Sequence, residues 1–150
     1  MQTQNLLLNQ YIGLLPARYW KRVKQPYFYT VDFLPATGSA TTNVALAVNS
    51  DSDFAWFATT RTVYTVADNV VVPAPYHTVT MIDAGSGRQF MSAPVHLENL
   101  AGTAQFPYQF FKPIILGGGS TVTVSITALA ATNVNIRLVL HGLKLFQMEE

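Results

Sequence analysis

The chain has 150 residues, no cysteine, 11% charged residues against 49% apolar ones, and a formal net charge of +1. These totals fit one domain with a core large enough to hold without cross-links, and they exclude disulfides and thiolate metal sites. No apolar run reaches the roughly 18 residues of a membrane-spanning helix, and Leu6-Leu7-Leu8 is too short for a signal-peptide core and lacks a basic segment before it, so a soluble chain that folds in the cytosol is expected.

Average soluble domains carry about 25% charged residues, which keep their surfaces hydrated. Here the polar remainder is mostly Thr, Ser, Asn and Gln. A Thr/Ser-faced β-sandwich living alone would account for that. A surface covered by other chains accounts for it as well, and is the reading taken here.

Residues 1–25 differ from the rest. Leu6, Leu7, Leu8, Tyr11, Ile12, Leu14 and Leu15 are apolar without strand alternation, while Gly13 and Pro16 oppose a long helix. An extended or partly helical N-terminal arm is expected over 1–25, with the β-sandwich domain over 26–150. The arm carries Arg18, Lys21, Arg22 and Lys24 and no acid, so it is +4 while the remaining five basic and eight acidic residues sum to −3. Its apolar side chains need cover, from the parent domain or from a neighbouring subunit. Leu7, Tyr11, Leu15, Arg18, Tyr19, Trp20, Lys21 and Arg22 are the candidate partner-contact residues. Cations interleaved with aromatics could also meet phosphates and bases, but four cations do not make a specific nucleic-acid signal, and nucleic acid is not the expected partner.

Tyr27 to Leu34 is rich in aromatic and β-branched residues and predicts a strand, and Pro35-Ala-Thr-Gly-Ser predicts a turn. Thr42, Val44, Leu46 and Val48 alternate with small residues. Asn49 to Asp53 is loop chemistry, and Asp53 to Tyr64 predicts a third strand with Phe54, Trp56 and Ala58 inward. Val63 to Val72 is weaker, with a turn at Asp68-Asn69 and strand-stopping Pro73 and Pro75. His77 to Asp83 alternates with Val79 and Met81 on one side. Asp83 to Arg88 is a tight connection, and Gln89 to Leu97 is expected back as the partner strand. Glu98 to Gln105 reads as loop. Phe106 to Leu116, aromatic with two prolines, reads as an edge strand or extended segment, and Gly117-Gly-Gly-Ser as a bend.

From Ser120 to Phe146 the period-two pattern is at its clearest. Val122, Val124 and Ile126 alternate with Thr and Ser, and Val134, Ile136, Leu138 and Leu140 alternate again after Ala-Ala-Thr-Asn. A long β-hairpin is expected. About eight short strands with frequent turns and long connections predict an antiparallel β-sandwich of jelly-roll type.

Chemistry is sparse. Asp51-Ser-Asp53 could hold a cation, but it lacks a third acidic ligand and reads first as a turn. Asp83-Ala-Gly-Ser-Gly-Arg88 lacks the following helix and the Lys of a phosphate cradle. His77, His96 and His141 are isolated, and no Gly-x-Ser-x-Gly elbow occurs. No enzyme, metal or cofactor is expected. A glycan site built on Trp56, Tyr64 and Tyr76 with Asp51 and Asp53 is the competing binding reading.

Two segments, Met81-Ile-Asp-Ala-Gly-Ser-Gly-Arg-Gln-Phe-Met-Ser-Ala-Pro-Val and Ile136-Arg-Leu-Val-Leu-His-Gly-Leu-Lys-Leu-Phe146, carry a likeness. Through them and its strand spacing from Tyr27 to Phe146, the chain resembles small β-sandwich virion structural proteins of tailed bacteriophages, of the kind that decorate or cement capsids. The resemblance implies a dimer or trimer that sits on a shell between coat subunits. Its partners would be the major capsid protein or other virion proteins, and it would fold in the host cytoplasm before assembly. It carries over no functional residues. The alternatives are a tail, baseplate or head–tail connector component, or a carbohydrate-binding module.

Overall fold

The computed structural model describes residues 10, 12–33, 41–72, 77–129 and 134–146. These contain eight strands: β1 (Lys24–Phe33), β2 (Thr41–Ala47), β3 (Ser52–Thr65), β4 (His77–Asp83), β5 (Val95–His96), β6 (Tyr108–Leu116), β7 (Thr121–Ala128) and β8 (Val134–Phe146). They form two antiparallel four-stranded sheets, ordered β1-β8-β3-β6 and β2-β7-β4-β5. The chain crosses between sheets at nearly every connection, and this interleaved order is that of a jelly roll.

Period-two patterning produces the core. Val122, Val124 and Ile126 of β7, Val79 and Met81 of β4, and Ile136, Leu138 and Leu140 of β8 are fully buried and meet between the sheets. Phe54, Trp56 and Val63 of β3 and Tyr29, Val31 and Phe33 of β1 join them. A ring ladder runs through one end, with Tyr27 edge-on to Tyr29 and Tyr29 edge-on to Phe54 at centroid separations of 4.9 and 4.8 Å.

The expected β7–β8 hairpin is not formed. β7 pairs with β2 and β4, whereas β8 pairs with β1 and β3 in the opposite sheet. Alternation reports which face of a strand is apolar and is silent on which neighbour it bonds. Two successive strands facing one core from opposite sheets therefore read like a hairpin. The Ala-Ala-Thr-Asn break lies outside the described residues, as do the turn at Pro35 and the two prolines at 73 and 75.

Ala58 does not face the core. The pairing of β3 with β8 shifts between Trp56 (opposite Gly142) and Ala58 (opposite His141), leaving Phe57 as a bulge. The extra residue moves Ala58 to the outer face and brings Thr59 inward opposite Leu140. The return after Asp83 is also shorter than expected: Gln89 makes an isolated bridge to Ile82, and only Val95 and His96 pair with β4. Leu97–Leu100, expected as the end of that strand and the start of a loop, is a single helical turn with Leu97 fully buried. β6 pairs only with β3 and is an edge strand.

Candidate interaction surface

The segment before β1 folds back on its own sheet. Gln10 and Ile12 begin a helical turn, Pro16 caps a 3₁₀ turn over Ala17–Tyr19, and the chain then enters β1. Pro16 suits this place because its fixed φ and missing N–H cost nothing at a helix start. Leu15 and Tyr19 are buried against Ala55, Leu143 and Leu145, with Ile12, Phe57 and Ile115 at the margin. This second apolar layer lies on the outer face of the β1-β8-β3-β6 sheet. It explains why β3 and β8 are buried on both faces here, a pattern that pure alternation does not predict.

Polar contacts fix the segment in place. Asp53, at the start of β3, accepts from the Tyr19 hydroxyl at 3.1 Å, from Arg22 Nη1 at 3.2 Å, and from the Gly118 amide at 2.9 Å. The guanidinium groups of Arg18 and Arg22 lie 4.8 and 4.7 Å from the Tyr19 ring centroid. Burial, reinforced by the adjacent Asp53 carboxylate, pushes the Tyr19 phenol above its usual pKa. Lys24 Nζ donates to the carbonyls of Trp20 and Arg22, and Trp20 Nε1 donates to the carbonyl of Leu15.

Of the candidate contact residues, Leu7 and Tyr11 lie outside the described residues. Leu15 and Tyr19 face the chain's own sheet. Arg22 is half-buried beside Asp53, while Arg18, Trp20 and Lys21 are exposed, Trp20 at 57%. Arg18, Trp20 and Lys21 thus follow closely along the turn at this corner, with Arg18 against the Tyr19 ring and Trp20 tied to the Leu15 carbonyl. Farther along the outer face Phe28, also 57% exposed, stands edge-on to His141 at 5.1 Å. His141 Nε2 shares a 2.8 Å hydrogen bond with the Thr60 hydroxyl, and burial lowers the imidazole's pKa.

A second exposed zone follows the β6 edge, where Phe106 is 79% and Phe111 97% exposed. The sequence singled out neither residue. The signal was present, however, because the adjacent pair Phe110-Phe111 cannot both face inward on one strand. Phe110 turns in, edge-on to Trp56 at 4.7 Å, and Phe111 turns out.

Trp56, Asp51 and Asp53, weighed for other chemistry, have partners within the fold. Trp56 is 1% exposed and its Nε1 donates to Ala58 O and Thr59 Oγ1, so it cannot touch a glycan. Tyr76 lies outside the described residues. Asp51 pairs with Lys144 at 3.1 Å while Asp53 holds the N-terminal segment, so the two carboxylates have different partners. Among the described residues no three His, Asp or Glu side chains come together as a metal site, and no helix is long and apolar enough to cross a membrane.

No protein-family model matches the chain, and no curated protein matches it. Solved structures match at low identity. One is a chain of the cyanophage Pam1 capsid asymmetric unit, 16% identical over 87% of this chain and 91% of that one, with a TM-score of 0.47. Another, from infectious bursal disease virus strain Gx, is 8% identical over 83% of this chain and 38% of that one, with a TM-score of 0.34. The same virus's VP2 subviral particle gives 9% identity over 84% of this chain and 41% of that one, with a TM-score of 0.31. This chain spans about two fifths of the length of the latter two. The jelly-roll assignment rests on the strand order itself.

Proposed function

We propose that the chain is a structural protein of a phage particle, a capsid decoration or cement subunit that stabilises a shell through protein–protein contacts. The observation that carries this reading is the surface. An 11% charged chain holds Trp20, Phe28, Phe106 and Phe111 outward from a rigid sandwich. Isolated apolar residues on a surface are ordinary, but large exposed aromatic side chains on a charge-poor surface are of the kind enriched at interface centres. Such a subunit adds buried area across boundaries between coat subunits, and repetition over a symmetric shell multiplies a modest affinity.

The corner of Arg18, Trp20 and Lys21 is the proposed contact with the coat protein. Its cations suit an acidic rim around an apolar pocket that receives the indole. A tail, baseplate or connector position would use the same surface against a different virion partner. The glycan-binding reading loses its central residue to the core.

The test is co-sedimentation of the purified chain with shells of the virus that encodes it. Saturable binding at a fixed ratio to coat subunits is expected, with at least tenfold weaker binding for Trp20→Ala and Lys21→Glu. These substitutions leave Leu15 and Tyr19 in place, so the sandwich stays covered, which deletion of residues 1–25 would not ensure. Absence of the chain from shells, with recovery in tails instead, would sink the cement reading.

A further inference from the structure

We infer that residues 147–150, Gln-Met-Glu-Glu, fold back as an acidic strap over the chain's own corner, with Met148 against the Trp20 indole and Glu149 and Glu150 toward Arg18 and Lys24. The inference rests on the reading of that corner as the coat contact, because the strap covers it until a coat protein displaces it. Residues 147–150 lie outside the described ones. The described residues fix where the strap starts and what lies ahead of it.

β8 runs antiparallel to β1, with Leu145 opposite Lys24. One step further, the Phe146 amide donates to the Val23 carbonyl at 3.1 Å. A chain leaving Phe146 in the direction of β8 therefore heads toward the residues that precede Val23. Those are Arg22, Lys21 and Trp20, drawn into a turn by the Arg22 amide, which donates to the Tyr19 carbonyl at 3.2 Å. Trp20 is at most about 11 Å of chain from Val23, and residues 147–149 span about 10 Å when extended. The strap is long enough to reach the indole and too short to leave this end of the sandwich.

Charge selects the same pairing. All six described carboxylates are engaged elsewhere: four in ion pairs, Asp68 and Asp83 with turn hydroxyls. At this end of the molecule Asp53 is matched by Arg22 and Asp51 by Lys144. Among the described residues Arg18 and Lys24 have no carboxylate partner. Both cations are held beside Trp20. The Arg18 guanidinium lies 4.8 Å from the centroid of the Tyr19 ring, and Lys24 Nζ donates to the Trp20 and Arg22 carbonyls at 2.8 and 3.0 Å. An ammonium has three N–H groups, so Lys24 keeps one for a carboxylate.

The indole is fixed by its bond to the Leu15 carbonyl and is 57% exposed, a face suited to a methionine thioether. Met148 followed by Glu149 and Glu150 thus presents an apolar group beside carboxylates, the chemistry proposed for the coat site. Exposed ion pairs are individually weak, but a short tether supplies a high effective concentration. The strap closes on those terms and yields to a partner that buries the indole more completely.

The test uses the purified full-length chain. Trp56 is 1% exposed, so acrylamide quenching of the accessible fluorescence reports Trp20, while the protected fraction reports an intact core. Glu149→Lys with Glu150→Lys should raise the quenching constant of the accessible indole by about twofold or more, the population change that two exposed ion pairs supply. A constant unmoved by this charge reversal would overturn the strap. Because the chain has no cysteine, Lys21→Cys and Met148→Cys can be placed together in one chain, and mild oxidation should join them within a monomer. A covalent dimer instead would assign the segment to a neighbouring copy, and no disulfide would show that it stays away from the corner; either overturns the inference. Neither measurement involves shells, so the strap can fail while shell binding stands, and shell binding can fail while the strap is seen to close.

Discussion

The Tyr19 hydroxyl donates to Asp53 at 3.1 Å across 34 residues of sequence, joining the N-terminal segment to the start of β3. Asp53 accepts from three donors in two segments, Tyr19 and Arg22 before β1 and Gly118 after β6, so its removal unfastens more than one pair. Asp53→Ala should cost about 1–3 kcal/mol in chemical denaturation, the range for losing charge-assisted hydrogen bonds at a partly exposed site. Tyr19→Phe should cost about 1 kcal/mol. The specific check is limited trypsin digestion: cleavage after Arg18, Lys21 and Arg22 should accelerate in Asp53→Ala while the strands stay resistant.

Lys144 and Asp51 form an unequal ion pair. The lysine side chain is 7% exposed and the aspartate 52%. The Tyr27 and Phe146 rings lie 4.4 and 5.8 Å from the ammonium nitrogen. Asp51→Ala leaves a buried cation with the rings but no carboxylate, whereas Lys144→Met leaves a carboxylate that water can reach. Asp51→Ala should therefore lower the urea midpoint by more than Lys144→Met does. Equal losses would show that the cation is hydrated.

Gly142 sits in β8 because nothing larger fits. A Cβ there would lie 2.2 Å from the Ala55 carbonyl oxygen and 2.4 Å from the Phe54 ring. Gly142→Ala should cost at least about 1–3 kcal/mol, the usual penalty of overpacking. Gly117→Ala, where a Cβ meets nothing within 4 Å, should be close to neutral. Thermal melts of the two variants give the comparison directly.

Acid should weaken the fold in two steps. Burial lowers the pKa of His77 and His141 below the usual 6.5, so the unfolded chain binds protons first as pH falls through that value. Stability contributed by the neutral imidazoles is complete above pH 6.5 and declines below it until the folded-state pKa values are passed. Asp51, held down mainly by its hydrogen bond from Lys144, and Asp83, held down mainly by Ser86, act lower. Their contribution is present above about pH 3.8 and is lost as pH falls through their lowered values. Urea midpoints measured against pH should show the first decline, and His77→Asn with His141→Asn should flatten it.

The strands were legible wherever one face met the core and the other met water. β4 at His77–Asp83 was read to the residue, and β6 as an edge strand from its prolines. Jelly-roll architecture was legible from strand number and connection length. The partnership of β7 and β8 was not, because pairing is a long-range choice that leaves no mark on local periodicity. Nor was the bulge at Phe57, which carries no glycine or proline to announce it. The burial of Leu15 and Tyr19 on the outer sheet face was half legible. Their apolarity demanded cover, but only the shift of the apolar positions from Leu138 and Leu140 to Leu143 and Leu145, out of step with the earlier alternation, hinted at where. Phe111 was hidden by its company, since a run rich in aromatics reads as core until a three-dimensional neighbour, here Trp56, selects which ring goes in.

β8 is the eighth strand in chain order and yet lies inside its sheet, between β1 and β3. During synthesis β1 and β3 therefore wait with no partner between them until β8 leaves the ribosome. The first sheet closes only then, all at once, by long-range pairing of the kind that makes β-rich domains slow to fold. A ribosome stalled before Val134 would hold a chain with two unsatisfied strand edges and an uncovered apolar face. Chaperone demand for this protein should peak in that interval and vanish with the last dozen residues of β8.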